Sequence, residues 1–200
     1  MPPLPPITKA LMLVCTAVFC LQFLLGGYGL VAWFGLWPLG SGRFMPWQVL
    51  SYAFLHGDIL HLFFNMLGLY MFGAEIERLW GGKRYIQFMV ASVLSAALCQ
   101  MLITALAGTM GPTIGISGGL YGLLLASAML FPNRTIMPLF PPIPMKQRTF
   151  VMVFGALELV QGLSGFTGVA HFAHLGGMLG AWLMIRYWRG QAPFSGKRRW

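Results

Sequence analysis

Along the 200 residues, long stretches of apolar side chains alternate with short polar or proline-rich breaks. Six apolar runs result, at roughly 9–28, 59–79, 85–107, 115–131, 149–166 and 170–188. Each is near the ~20 residues that cross ~30 Å of hydrocarbon. A lone segment in lipid has to satisfy its own backbone hydrogen bonds, so every run predicts a helix. The expected fold class is therefore an all-α membrane protein, a bundle of six transmembrane helices. The first run is too long for a signal-peptide core and has no A-x-A site. Val14, before Cys15, is larger than a lipoprotein signal favours, so the run reads as a retained anchor. No soluble domain fits between the runs, and 1–200 reads as one membrane-embedded domain ending in a short basic tail at 189–200.

Composition agrees with that pattern. With 58% hydrophobic residues, 8% charged residues and a mean hydropathy of +0.73, the chain has too little polar surface to cover a water-soluble globule. The net charge of +9 does not indicate nucleic acid, because the basic residues fall in short clusters between apolar runs and form no basic face. The clusters act instead as an orientation signal. A cytoplasmic N-terminus puts Lys9, Arg78, Lys83, Arg84, Arg134, Lys146, Arg148, Arg186, Arg189, Lys197, Arg198 and Arg199 inside and only Arg43 outside. The stretch 30–48, with Trp33, Trp37 and Trp47, becomes an outer loop suited to the headgroup layer. The proline-rich segment 131–148 becomes a cytoplasmic linker. Cys15, Cys20 and Cys99 lie inside apolar runs without metal-ligand spacing, and read as packing residues.

In this orientation the second, fourth and sixth runs descend from outside to inside. At ~1.5 Å per residue, Ser117 lies ~22 Å above Pro132, His174 ~18 Å above Arg186 and Asn65 ~20 Å above Arg78. The three share one depth. A fourth helix starting at Ser117 is short, so its head stops below the outer edge of the hydrocarbon and leaves the serine at the floor of an indentation. Polar side chains at such depth are costly and tend to mark function. The chain has no HExxH, Asp58 is its only aspartate, and its lysines all fall at the cytoplasmic edge. Serine and histidine remain as candidate nucleophile and base. Glu75, Glu77 and Glu158 count as too deep or too cytoplasmic to orient His174, so a Ser–His dyad without a carboxylate is expected.

The stretches "GISGGLYG", "HGDILHLFFNMLGLYMFGAEIERLWGG" and "AHFAHLGGMLGA" together resemble the rhomboid intramembrane serine proteases, in order and on the second, fourth and sixth segments. GxSG alone is a weak signal, whereas GxSG with HxxxN upstream and AHxGG downstream is specific. The resemblance runs from about residue 47 to 187. It implies a six-transmembrane-helix, rhomboid-like bundle with Ser117 as nucleophile and His174 as general base. It also implies an oxyanion hole of Asn65, His61 and the Ser117 N–H, and Tyr121 stacked on His174. No cofactor or metal is implied. The implied partners are single-span transmembrane substrates and the lipid bilayer, and the implied location is a bacterial inner membrane with both termini cytoplasmic. "ERLWG", Glu77 to Gly81, looks like the family motif at the inner end of the second helix. "PWQ" replaces the Trp-Arg of many members in the outer loop, which questions how that loop is anchored, and Ala181 replaces a glycine.

The residues supply their own reasons. Gly115 and Gly118 flank Ser117, where the chain turns into a helix and a substrate backbone has to come close. At a helix head, Ser117 has free N–H groups and the positive end of the helix dipole for an oxyanion. Tyr121 lies one turn below it, and His61 and Asn65 are likewise four apart. Gly176, Gly177, Gly180 and Ala181 let the sixth helix approach the fourth. Two other functions compete: a metal or haem site built from His56, His61, His171 and His174, and a catalytically silent relative that only binds membrane clients.

Overall fold

The computed structural model describes residues 3–139, 142–164 and 170–193. Helix α1 is Pro6–Leu24, α2 is Tyr28–Phe34 and α3 is Gln48–Ser51. Helix α4, Ile59–Gly68, passes through a π-helical turn at Leu69–Gly73 into α5, Ala74–Ala107. Helices α6, α7 and α8 are Ser117–Leu130, Gln147–Ser164 and His171–Arg189. Each of the six apolar runs therefore carries a helix, with non-helical residues at 25–27 in the first run and at 115–116 and 131 at the ends of the fourth. The sixth begins at His171, the fifth is described to Ser164, and residues 165–166 of the expected span lie outside the described residues, as do 194–200 of the tail.

Pro6–Leu24 and Ile59–Ala107 are long and apolar enough to cross a membrane by length and composition. The second of these is 49 residues long and is broken into two helices at Gly81, whose φ of 75° favours glycine, so it is long enough for two passes. Helix α6 is apolar but has only 14 residues. Polar side chains within α7 and α8, among them Glu158, Gln161, His171 and His174, account for their lower hydropathy. The fold is an all-α membrane bundle, and its exposed faces match that setting: Leu98, Leu102, Met152, Val160 and Leu163 stand outward on α5 and α7.

Helix α8 packs against α5 and α6 through small residues. A Cβ on Gly177 would stand 1.9 Å from the Gly118 carbonyl oxygen, a distance no side chain permits, so α6 and α8 touch backbone to backbone here. Near the start of α5, Glu77 accepts hydrogen bonds from Ile7 N (2.9 Å), Thr8 N (2.6 Å) and Thr8 Oγ1 (2.7 Å), satisfying free donors at the start of α1. The motif "ERLWG" thus ties the first helix to the second, while Trp80 packs edge-on against Phe88 and Trp188.

The outer loop is built around Gln48, which is fully buried. Its Oε1 accepts from Trp37 N (3.3 Å) and Met45 N (3.1 Å), and its Nε2 donates to the Trp33 and Arg43 carbonyls. The side-chain amide supplies the anchoring that the missing arginine had left open. A short bridge between Leu36 and Thr113 then couples this loop to the strand-like approach to Ser117. In the linker between α6 and α7, Thr135–Ile136 pairs with Met145–Lys146, and Arg134 binds Glu75 at 2.7 Å.

Candidate active site

Ser117 is the first residue of α6, after Ile116 at the N-cap, and sits half-buried against α8. Gly115 precedes it with φ +117°, a conformation that L side chains rarely adopt, and its N–H donates to the Tyr52 carbonyl at 2.9 Å. A Cβ at this position would also lie 2.7 Å from His61 Nε2 and 3.7 Å from Ser117 Oγ, so the glycine clears the space between those two groups. Gly118 has a different cause from the one expected. Its Cβ would strike Ala96 at 2.6 Å, and it is buried in the helix seam instead of opening onto a substrate.

His174, one turn into α8, brings Nε2 to 2.8 Å from Ser117 Oγ. The Tyr121 ring stacks on the imidazole with centroids 4.3 Å apart and planes 8° from parallel. On α4, Asp58 caps the helix by accepting from His61 N at 2.8 Å. One turn further, Asn65 is buried, and its Nδ2 donates to the His61 carbonyl at 2.8 Å while its Oδ1 has no hydrogen-bond partner. His61 Nδ1 accepts from Gly57 N at 3.3 Å. Ser117, His174, His61, Asn65 and Tyr121 all line one cavity of about 1490 Å³. Its walls include Phe64 and Gly68 from α4, Met71 from the π-helical turn and Phe150, Phe154 and Gln161 from α7.

The expectation that no carboxylate reaches His174 is overturned. Glu158, buried on α7, holds Oε2 2.6 Å from His171 Nδ1 and 2.9 Å from His174 Nδ1, and its Oε1 accepts from the Tyr121 hydroxyl. The contact with His174 Nδ1 is a close charge contact off the axis of an ideal hydrogen bond, since that nitrogen makes no aligned one. Depth explains the miss. Helix α7 ascends from Gln147, and eleven residues at ~1.5 Å each raise Glu158 by ~16 Å, close to the level of His174.

The four histidines do not gather into one metal-ligand cluster, although His61, His171 and His174 line the same cavity. His56 and His61 meet edge-to-face at 5.1 Å, and burial, with His61 beside it, pushes His56 down to about 4 and keeps it neutral. Among the described residues, the group with ligand atoms within 4.8 Å of one another is Glu158, His171 and His174. Their oxygen-to-nitrogen separations of 2.6 and 2.9 Å are hydrogen-bond and ion-pair distances, shorter than the ~3.3 Å between tetrahedral donors around zinc.

The rhomboid domain family matches residues 43–190. Among curated proteins, the chain is similar to Rhomboid protease GlpG of Serratia proteamaculans (strain 568), 31% identical over 190 residues, and to Rhomboid protease GlpG of Yersinia pestis (strain Pestoides F), 25% identical over 186 residues. In both cases the match covers 92% of this chain and 62% of the relative, so the chain spans about three-fifths of the length of these proteins. The family match takes in the helix carrying His61 and Asn65, the glycine-flanked Ser117 and the AHLGG segment of α8 within one continuous region, and the chain belongs to the rhomboid family.

Proposed function

We propose that this protein is an intramembrane serine endopeptidase, a single membrane-embedded domain that cuts single-span membrane proteins near the outer boundary of a bacterial inner membrane. Both termini are then cytoplasmic. The observation that carries this reading is the 2.8 Å contact between His174 Nε2 and Ser117 Oγ at the head of a helix, inside a cavity.

The chemistry follows from the geometry. His174 Nε2 takes the proton as Ser117 Oγ bonds to the scissile carbonyl carbon, and returns it to the leaving nitrogen when the C–N bond breaks. The developing oxyanion meets the Ser117 N–H, free of an intrahelical partner at this position, and the second N–H of Asn65 Nδ2, whose first is used on the His61 carbonyl. His61 completes the hole from across Gly115. Water entering from the outer face then hydrolyses the acyl-enzyme through the same base. A substrate helix arrives with its carbonyls hydrogen-bonded, so it has to unwind locally, and helix-weakening residues lower that cost by ~1 kcal/mol for Gly and ~3 kcal/mol for Pro relative to Ala in water.

The test is labelling of the purified protein with a fluorophosphonate probe. Labelling is expected on Ser117, absent in Ser117→Ala and strongly slowed in His174→Ala. A folded protein that stays unlabelled while capturing a single-span membrane protein would instead establish the client-binding role.

A further inference from the structure

A carboxylate in a membrane-embedded helix is costly unless it is paired, so the partners of Glu158 identify what it is held for. Two of the three it touches belong to the His174 site. Oε2 stands 2.9 Å from His174 Nδ1, and Oε1 accepts from the hydroxyl of Tyr121, the ring stacked flat on that same imidazole. The third partner, His171 Nδ1 at 2.6 Å, approaches Oε2 from one turn further out on α8.

We propose that Glu158 is a positioning residue that extends the Ser117–His174 pair to a Ser–His–Glu arrangement. This rests on the reading that Ser117 and His174 carry the hydrolysis. When Nε2 accepts from the serine hydroxyl, the neutral ring carries its proton on Nδ1, and a buried N–H there needs an acceptor. Oε2 supplies it. The contact is off-axis in the resting state and tightens as substrate closes the site, as such bonds commonly do. After proton transfer the imidazolium faces a carboxylate already in place. The proton itself stays on the imidazole until it leaves with the amine, and Glu158 is not protonated during the cycle. Through Tyr121 the same carboxylate also fixes the ring against the imidazole face, so one side chain sets both the edge and the plane of the base.

A purely structural carboxylate would be needed for folding and nothing else. The experiment therefore measures turnover per folded molecule for Glu158→Gln and Glu158→Leu in liposomes, with melting temperature and fluorophosphonate labelling rate read on the same preparations. For Glu158→Gln, kcat is expected to fall about 10²-fold with KM within about twofold, and labelling of Ser117 to slow in parallel. Glu158→Leu, which can neither accept a hydrogen bond from Nδ1–H nor offer a charge to the imidazolium, is expected to fall further. His171→Gln, which leaves the Glu158 contacts to His174 and Tyr121 in place, should keep kcat within about fivefold of the parent, well short of the loss at Glu158. Folded Glu158→Gln that turns over and labels at the parental rate would overturn the proposal, and so would a rate loss matched by loss of folded protein alone. If Leu fails to fold, the Gln variant decides by the same criteria. Should Glu158→Gln behave as the parent while Ser117→Ala is inert, only this inference fails. An active Ser117→Ala would remove the hydrolytic reading itself.

Discussion

The two sides of the cavity are built in different ways. On one side, α6 and α8 meet through Gly118, Gly122 and Gly177, with the Gly118 carbonyl so close to Gly177 that no Cβ fits between them. On the other side, α4 buries Leu62 and Asn65 while Ile59, Leu60, Phe63 and Phe64 stand exposed, and α7 buries only Gln147, Val151 and Glu158. Backbone contact leaves little freedom to slide, whereas exposed apolar faces are held by lipid as readily as by protein. The proposed nucleophile and base, Ser117 and His174, sit on the tight seam, and the proposed oxyanion side chains and orienting carboxylate sit on the looser walls. On the proposed function, the seam holds Ser117 and His174 at fixed separation while the walls are freer to adjust around a substrate.

The contrast can be broken most sharply at the seam. Ser117→Ala and His174→Ala should each abolish peptide cleavage with the melting temperature little changed, the serine as the only nucleophile and the base by up to ~10⁴-fold. Turnover of a purified single-span substrate measures both. Next, Gly177→Val forces atoms into the Gly118 carbonyl, 1.9 Å from even its first carbon. Overpacking of this kind costs roughly 1–3 kcal/mol or more. The melting temperature should drop and activity be lost as the 2.8 Å Ser–His contact opens.

Changes on the loose side should cost less. Asn65→Ala is expected to lower kcat by about 10²-fold with KM nearly unchanged, because an oxyanion donor acts mainly in the transition state. Steady-state kinetics separates the two constants. At the smallest end, Gln48→Ala removes four hydrogen bonds from the outer loop, each contributing about 0.5–1.5 kcal/mol net. Faster amide exchange over residues 33–51 and a lower melting temperature should appear, with kcat reduced less than by Asn65→Ala.

What the sequence made legible follows the same division. The helices were readable because lipid forces apolar continuity and internal hydrogen bonding, and the seam because small residues recur at Gly176, Gly177, Gly180 and Ala181. Ser117, His174 and Asn65 could be set at one depth by counting, since all three lie on descending helices. Glu158 was missed because its helix ascends and has to be counted from Gln147, and because a depth estimate carries no azimuth to say which face points at His174. The turn at Leu69–Gly73 and the loop helices left no periodic signal. Gln48 gathers Trp33, Trp37, Arg43 and Met45 through backbone groups that no spacing of side chains announces. Gly118 shows the converse: the residue was singled out for substrate access, and its partner is Ala96 in the seam.

The central claim is that Ser117 at the head of a short, sunken helix cuts a transmembrane substrate near the outer boundary. Reconstitution in liposomes with a model single-span substrate, followed by mass spectrometry of both fragments, tests it most directly. One cut is expected, in the outer part of the span, at a small residue followed by Gly or Pro, absent with Ser117→Ala and slowed when those Gly or Pro positions become Leu. A cut at the cytoplasmic end, or cleavage that persists in Ser117→Ala, would contradict the account.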